Sequence, residues 1–202
     1  VLFAGGQPHG GDMAAKRSGA RRIQIMDAEE IGRTIGRMAE EIVSRDGSDL
    51  LLVGIHTRGI PLARRLAARV GSITGASVPV GRLDITLYRD DVGPWRPAHR
   101  QPLLKETVLP VPIDDLVVVL VDDVLYTGRT IRAALGTLVD YGRPRAVRLA
   151  VLVDRGHREL PIAADVVGRV LETTGEEDVQ VHLAEVDGDD GVWVGREASH
   201  AG

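Results

Sequence analysis

The sequence has no cysteine and only two lysines, Lys16 and Lys105. The lack of cysteine excludes a disulfide framework, a thiolate nucleophile and a zinc site built from thiolates. No apolar run approaches the roughly 20 residues that a membrane-spanning helix requires, and the first residues lack the apolar segment of a secretory signal. We therefore expect a protein that works in a reducing cytoplasm.

Charge is distributed unevenly along the chain, although the net charge is only −4. Residues 1–22 are basic, whereas residues 172–202 hold nine acidic residues against Arg196. Acidic tails are usually solvated ends, and the chain has no overall positive field for nucleic acid. Any RNA-binding surface must therefore be local.

The length and the 44% hydrophobic content suit one domain with a single good core. We predict a disordered extension at residues 1–22, a domain at residues 23–196 and a disordered tail at residues 197–202. Met13 is a candidate for the natural start, because the stretch before it is rich in glycine.

Apolar patterns predict alternating strands and helices, which favours an α/β fold with a mostly parallel sheet. Asp27 and Glu30 have the spacing of a capping box at the start of a first helix. The predicted strands are Leu50–Ile55, Val78–Tyr88, Leu116–Val121 and Ala146–Val153, and two further helices are predicted at Pro61–Val70 and Ile131–Tyr141. Short apolar segments at 164–170, 179–183 and 192–194 predict a small terminal β element.

Two adjacent carboxylates, Asp122 and Asp123, end the apolar run Leu116–Val121. Such a run is typical of a central parallel strand, and open α/β sheets bind ligands at the carboxyl ends of their strands. The loop that follows supplies two threonines, a glycine and backbone amides at the start of a helix, which is the chemistry of a phosphate cradle. A sugar phosphate with a vicinal diol would satisfy both halves of this site.

Two other segments carry charge where predicted strands end. Thr57-Arg58-Gly59 follows one strand, and Asp154-Arg155-Gly156-His157-Arg158 ends another. Either segment alone is compatible with an ordinary turn. Beside the acidic pair, however, an arginine fork and a glycine that permits close approach favour a phosphate contact by the first segment.

The region from Arg89 to Pro112 is rich in proline and charge and has little periodicity. A loop of this length is uncommon inside a compact domain unless it works as a lid. Arg89, in Tyr88-Arg89-Asp90-Asp91, is the candidate for a ligand contact made when the lid closes. The alternative is a solvated charged turn.

The segment Val118 to Thr130 resembles the phosphoribosyl-pyrophosphate (PRPP) motif of type I phosphoribosyltransferases, in which a hydrophobic strand, two acidic residues and a Thr-Gly-x-Thr loop follow in order. Residues 54–59, 83–91 and 152–161 resemble the PyrR family, whose members combine uracil phosphoribosyltransferase activity with regulation of the pyrimidine operon. The similarity extends from about Asp27 to about Val194. It implies a type I phosphoribosyltransferase fold, with a central, mostly parallel sheet flanked by helices and a small hood.

The resemblance implies transfer of ribosyl phosphate from PRPP to uracil, which gives UMP and pyrophosphate with the help of Mg²⁺. Asp122 and Asp123 would bind the ribose hydroxyls, directly or through the metal ion. The 5′-phosphate would lie in the loop formed by Val124, Leu125, Tyr126, Thr127, Gly128, Arg129 and Thr130. The pyrophosphate would contact Thr57, Arg58, Gly59 and Arg89, and the base would contact Arg155, Gly156 and His157. A homodimer or larger homo-oligomer is also implied.

Members of the family also bind pyrimidine-operon messenger RNA when they carry UMP. Basic candidates for this contact are Arg33, Arg37, Arg143, Arg145 and Arg169, although helical arginines are often only solvated. Two departures from the family pattern weigh against it. Glu40 stands where a neutral or cationic residue is usual, and Ala163 stands where relatives often have arginine, so RNA binding could be weakened, shifted or lost.

Three alternatives compete with this interpretation. The nucleotide pocket could be only the sensor of an RNA-binding attenuator, or the enzyme could prefer another base, such as a purine. A receiver domain also has an acidic pair after a strand, but neither lysine of this chain follows a late core strand, so we discard it.

Asp114-Asp115 repeats the acidic dipeptide before its strand and is predicted to be solvated.

Overall fold

The computed structural model describes residues 22–85 and 106–196. Within these ranges no helix is long and apolar enough to cross a membrane. The described elements, in chain order, are β1 (Arg22–Met26), α1 (Ala28–Asp46), β2 (Leu50–Ile55), α2 (Gly59–Thr74), β3 (Val80–Leu83), β4 (Val117–Leu125), α3 (Arg129–Val139), β5 (Ala146–Asp154), β6 (Val166–Val170), β7 (Glu177–His182), α4 (Ala184–Asp187) and β8 (Gly191–Arg196).

A parallel sheet of five strands forms the centre, in the order β3-β2-β4-β5-β6. In register, Leu52 lies beside Val119, and Val119 lies beside Arg148. The predicted α/β architecture with a mostly parallel sheet is confirmed. Because β4 is the middle strand, its carboxyl end is flanked on both sides by neighbouring strand ends, which is the position expected of a ligand site.

The apolar run of β4 alternates between two cores. Val117, Val119 and Val121 pack in a core that includes α1 and α2, whereas Val118 and Leu120 pack in a core that includes α3. All of these valine and leucine side chains are buried. An uninterrupted apolar strand is therefore explained by helices that cover both faces of the sheet.

The first helix begins as its capping pattern predicts. The Glu30 amide donates to Asp27 Oδ1 at 2.8 Å, and the Asp27 amide donates to Glu30 Oε2 at 3.1 Å. These reciprocal bonds satisfy two amides that have no partner inside the helix. The helix α1 then runs from Ala28 to Asp46 and buries Ile31, Ile35, Met38 and Ile42.

A second, antiparallel sheet has the order β1-β8-β7, and we call these three strands the hood sheet. Two features differ from the sequence prediction. The strand β1 was not predicted, and β6 was assigned to the terminal β element although it extends the parallel sheet beside β5. The amino-terminal strand therefore pairs with the last strand of the described chain.

The predicted strand Val78–Tyr88 is observed as the shorter β3, and residues 86–88 lie outside the described residues. Most of the predicted lid, residues 89–105, and the tails at 1–21 and 197–202 also lie outside them. After this gap, Val108 exchanges backbone hydrogen bonds of 2.9 Å with Arg82. The end of the predicted loop thus covers the edge of β3.

Candidate active site

Asp122 and Asp123 lie near the carboxyl end of β4, which continues to Leu125. Asp122 is 6% exposed and accepts a hydrogen bond from the Asp123 amide at 3.0 Å. Asp123 accepts one from the Val124 amide, also at 3.0 Å. Each carboxylate therefore has one oxygen fixed by the backbone of the next residue.

Burial raises the pKa of the Asp123 carboxyl above its ordinary value, while the hydrogen bond with Asp122 and the charge of Arg58 act in the opposite direction. Two close carboxylates in a desolvated place favour binding of a cation or of hydroxyl groups, since either lowers the cost of keeping both ionised. The described residues include no group of three or more acidic or histidine side chains that could hold a metal ion by themselves. This donor set fits Mg²⁺ that arrives with substrate phosphates and keeps some of its water, which is its usual mode of binding.

The loop after β4 lines a cavity of about 340 Å³, together with the start of α3 and Glu159. Gly128 adopts a φ of 90°, which a side chain rarely tolerates, and α3 begins at the next residue. Thr127 Oγ1 accepts from the Arg129 amide at 3.3 Å. The predicted residues 124–130 therefore line one cavity at a helix N-terminus, where an anion is favoured. Val124 and Leu125, predicted to lie in the loop, belong to the end of β4 instead.

Glu159 was not predicted as a site residue, although it lines this cavity. Its carboxylate pairs with Arg129, whose Nε lies 2.7 Å from Glu159 Oε2. The local sequence gives no signal for this contact, because it depends on how the segment after β5 folds back on the loop after β4.

The predicted pyrophosphate segment connects β2 to α2, and the peptide bond between His56 and Thr57 is cis. A Cβ added at Gly59 would lie only 2.2 Å from the Val121 carbonyl oxygen. Glycine at this position therefore lets the loop approach β4 and the neighbouring acidic pair. A second cavity of about 480 Å³ is lined in part by Thr57, Arg64, Arg82 and Glu106.

Arg58 forms an ion pair with Asp187 of α4, the short helix between β7 and β8 of the hood sheet. Its Nη2 lies 2.7 Å from Asp187 Oδ1, and its Nε lies 3.0 Å from Asp187 Oδ2. The hydrogen bond to Asp187 raises the pKa of Arg58 and lowers that of Asp187. Asp187 was not predicted as part of the site, because it lies 129 residues away in a short helix of four residues.

A second arginine, Arg65 of α2, binds the segment 184–190, which includes α4. Its guanidinium contacts Glu185 at 2.9 Å and Asp190 at 2.7 Å and 2.8 Å. These contacts lower the pKa of both carboxyls. The hood segment 184–190 is therefore bound by two arginines, Arg65 in α2 and Arg58 in the loop just before α2.

The predicted base segment brings together an arginine and two rings. Arg155 is 6% exposed, and its guanidinium carbon lies 4.2 Å from the centre of the Tyr126 ring. The His157 ring meets the Tyr126 ring edge-on, with centroids 6.0 Å apart, and bonds to the Thr173 carbonyl at 2.6 Å. Because Arg155 also donates to the Glu177 carbonyl, its guanidinium is partly committed to the hood sheet.

Gly156 and His157 both have positive φ, of 73° and 56°, at the turn after β5. The turn is fixed by a 2.9 Å hydrogen bond from the Gly156 amide to Asp154 Oδ1. Uracil recognition by Arg155, Gly156 and His157 remains a prediction. Arg89, the other predicted pyrophosphate ligand, lies outside the described residues.

The RNA candidates divide into two groups. Arg33, Arg37 and Arg169 lie on α1 and β6, where α1 packs against β6. Arg37 donates to the carbonyls of residues 167 and 168, and Arg169 donates to the carbonyl of residue 25 at 2.8 Å. Arg143 and Arg145 lie in the connection between α3 and β5, where the Arg143 amide donates to Asp114 and the Arg145 amide donates to the Leu116 carbonyl at 2.9 Å.

Comparisons with known proteins identify the family of this chain. The family model described as the phosphoribosyl transferase domain matches residues 22–186. The chain is 53% identical over 173 residues to "Bifunctional protein PyrR" of Deinococcus radiodurans, a match that covers 85% of this chain and 93% of the relative. The chain belongs to the PyrR family of phosphoribosyltransferases.

Other relatives support the same family. The protein of the same name from Clostridioides difficile is 49% identical over 175 residues, which cover 86% of this chain and 97% of that protein. Among solved structures, the hypoxanthine phosphoribosyltransferase of Trypanosoma cruzi matches 87% of this chain and 97% of its own, with a TM-score of 0.62 and 18% identity. The HGPRT-ase of Leishmania tarentolae in complex with GMP matches 91% and 98%, with a TM-score of 0.64 and 14% identity. At such low identities the structural likeness shows the fold alone, and it confirms the predicted type I phosphoribosyltransferase fold.

Proposed function

We propose that this PyrR-family chain transfers ribosyl phosphate from PRPP to uracil, and that it binds pyrimidine-operon messenger RNA when it carries UMP. The observation that carries the enzymatic part is the arrangement at the end of β4. There the paired carboxylates of Asp122 and Asp123 lie directly before the loop that lines the 340 Å³ cavity. One ribose phosphate can place its hydroxyls on the carboxylates and its 5′-phosphate in this loop.

Breaking the bond at the anomeric carbon develops positive charge on the ribose and negative charge on the departing pyrophosphate. No protein nucleophile is needed for this reaction, so the site acts by positioning and electrostatics. Asp122 and Asp123 hold the ribose hydroxyls close to the developing positive charge. Arg58, on the facing loop, offers its fork of donors to the pyrophosphate. Bound Mg²⁺ would supply further neutralisation of the pyrophosphate charge, with Asp122 and Asp123 as its protein ligands.

Formation of radiolabelled UMP from uracil and PRPP tests this proposal directly. We expect Mg²⁺-dependent turnover that unlabelled uracil suppresses and that hypoxanthine and guanine do not. Tight UMP binding without turnover would instead identify a nucleotide sensor. Turnover of a purine would identify an enzyme of different base preference.

The surface formed by α1 and β6 supports the RNA part of the proposal, because Arg33, Arg37 and Arg169 share it. Glu40 is also exposed on α1 and weakens its positive field. Arg33 is the best-suited probe, since among residues 22–85 and 106–196 it pairs only with the exposed Glu29 of its own helix, whereas Arg37 also donates to β6 carbonyls. We expect UMP-dependent retention of leader RNA on filters.

In that experiment Arg33→Gln should reduce RNA affinity and lower the salt dependence by about one charge. Arg45→Gln is the matched control, because Arg45 lies at the other end of α1 and pairs with Asp165. RNA retention that does not depend on UMP would remove the regulatory function and leave the enzymatic one intact.

The protein is further proposed to act in the cytoplasm as a homodimer or larger homo-oligomer. Large exposed apolar side chains support association, since Val139 is 62% and Val170 is 69% exposed. Sedimentation velocity at micromolar concentration tests this point. A monomer under conditions of full activity would contradict it.

A further inference from the structure

The guanidinium of Arg158 joins the loop after β4 to the loop after β5. Its Nη1 donates to the Tyr126 carbonyl at 2.8 Å and to the Gly156 carbonyl at 2.9 Å. Its Nε donates to the Ile162 carbonyl at 3.0 Å, and its Nη2 pairs with Asp154. The side chain is 22% exposed, so these bonds lie largely away from solvent.

Three consecutive carbonyls, that of Leu125 at the end of β4 and those of Tyr126 and Thr127 in the loop after it, face the segment 155–160. Their partners are the Arg155 amide at 3.1 Å for Leu125, Arg158 Nη1 at 2.8 Å for Tyr126, and the amides of Glu159 at 3.0 Å and Leu160 at 3.2 Å for Thr127. Backbone amides therefore hold the first and third carbonyls. The second, that of Tyr126, is held by a side chain.

This orientation decides where the amides of the loop point. In a planar trans peptide unit, the carbonyl of one residue and the N–H of the next point in opposite directions. Within the described residues, the only cis bond precedes Thr57. The N–H groups of Tyr126, Thr127 and Gly128 therefore point away from the donors that bond the preceding carbonyls. All three residues line the 340 Å³ cavity, to which segment 155–160 contributes Glu159.

We propose that Arg158 is a positioning residue for the 5′-phosphate: it fixes the peptide unit between Tyr126 and Thr127 so that the Thr127 N–H points into the phosphate cavity. The inference rests on the proposed function. Arginine suits this task because its planar fork can bond several carbonyls at once while Asp154 balances its charge. Lysine carries a single ammonium on a flexible stem and cannot reproduce the same set of bonds.

The inference predicts a loss confined to ligands that carry the 5′-phosphate. Titration calorimetry of Arg158→Gln should show ribose 5-phosphate binding at least tenfold more weakly than in the wild type. Pyrophosphate with Mg²⁺ should bind within twofold of the wild type, because Arg58 and the acidic pair are untouched. In steady-state assays the KM for PRPP should rise more than kcat falls.

Two further variants make the result decisive. Arg158→Lys keeps the charge and should recover only part of the affinity for ribose 5-phosphate, and it also serves if Arg158→Gln does not fold. Arg45→Gln removes a different ion-paired arginine and should bind both ligands as the wild type does. Thermal unfolding of each variant establishes that it is folded.

The outcomes distinguish failure of the proposed function from failure of the role proposed for Arg158. A wild-type chain that makes no UMP and binds no ribose 5-phosphate would overturn the proposed function. An active wild type whose folded Arg158→Gln variant binds ribose 5-phosphate normally would overturn only the role of Arg158. Equal losses for ribose 5-phosphate and pyrophosphate would also overturn it, since they would indicate a general structural effect.

Discussion

Arg58 and Asp187 form an ion pair with two hydrogen bonds, of 2.7 Å and 3.0 Å, between the loop after β2 and helix α4. The pair is largely shielded on the Asp187 side, where the side chain is 15% exposed, and less so on the Arg58 side, at 34%. Asp187 thus uses the donors that we assign to pyrophosphate. A bound pyrophosphate must compete with this carboxylate for Arg58. Displacing the carboxylate would break the Arg58–Asp187 contact between the loop and α4.

The first prediction concerns Asp187→Asn. Removing the competing charge should strengthen binding of Mg²⁺-pyrophosphate about fivefold, since a partly exposed ion pair contributes about 1 kcal/mol and 1.4 kcal/mol corresponds to a factor of ten. Titration calorimetry measures the change. Asp190→Asn is the control, because Asp190 pairs with Arg65 and not with Arg58. Weaker pyrophosphate binding by Asp187→Asn would mean that Asp187 orients Arg58 instead of competing for it.

The second prediction separates activity from stability at Asp123. Burial raises the pKa of this carboxyl in the folded protein above the unfolded value near 3.8. The folded state therefore binds more protons between these two pKa values, and ionisation above them destabilises it. Asp123→Asn mimics the protonated form, so it should raise the melting temperature at pH 7 while it lowers kcat at least a hundredfold. Calorimetry and the UMP assay measure the two effects.

Asp115→Asn is the matched control for this substitution. Asp115 lies before β4, at the edge of the sheet opposite to the site, and its φ of 62° is one that asparagine tolerates well. It should leave both turnover and melting temperature nearly unchanged. If Asp123→Asn lowered the melting temperature, the carboxylate would be stabilising the fold and the sign of our argument would be reversed.

The third prediction tests the close approach of Gly59 to β4. Gly59→Ala would place a methyl group 2.2 Å from the Val121 carbonyl oxygen, so the loop or the strand must move. We expect a loss of roughly 2–4 kcal/mol in the free energy of unfolding, typical of overpacking against a rigid backbone, together with loss of turnover. Gly36→Ala is the control, because a Cβ at Gly36 meets nothing within 4 Å and alanine is the better helix former. Urea unfolding should show Gly36→Ala to be unchanged or slightly more stable.

What could be predicted from the sequence was mostly local. The run that became β4, the acidic pair at its end and the turn into α3 lie within a short segment, and each is specified by neighbours in the chain. The capping box of Asp27 and Glu30 is local in the same way. The parallel arrangement of the strands could also be predicted, because helices alternate with apolar strands along the sequence.

What could not be predicted depends on distant pairing. The strand β1 lies beside β8, with Ile23 opposite Val194, and no local pattern specifies that partner. The same holds for Glu159 at the phosphate cavity and for Asp187 at Arg58. Arg37 shows the same limit for a predicted residue. It is an exposed helical arginine and was a candidate for RNA binding, but its guanidinium also donates hydrogen bonds to carbonyls of β6.

The last prediction concerns acid and the hood segment. Hydrogen bonds from Arg65 lower the pKa of Glu185 below 4.5 and that of Asp190 below 3.8 in the folded protein. The stabilisation by these pairs is therefore complete above about pH 4.5 and is lost as the pH falls through the lowered pKa values. Most of it should come from Asp190, because Glu185 is 45% exposed and its pair is screened by solvent.

Trp193 lies on β8 of the hood sheet, 4.6 Å from the His182 ring, and can report on this segment once the other tryptophan is replaced in a Trp95→Phe background. We expect the urea midpoint from Trp193 fluorescence to fall between pH 5 and pH 3. Arg65→Gln should lower the free energy of unfolding at pH 7 by about 1 kcal/mol. It should also make the fall in stability between pH 5 and pH 3 shallower, since Glu185 and Asp190 would then titrate alike in the folded and unfolded chains. The reason is that linkage requires a difference in proton binding between the folded and unfolded chains. An unchanged acid slope in Arg65→Gln would therefore assign the acid sensitivity to other carboxylates.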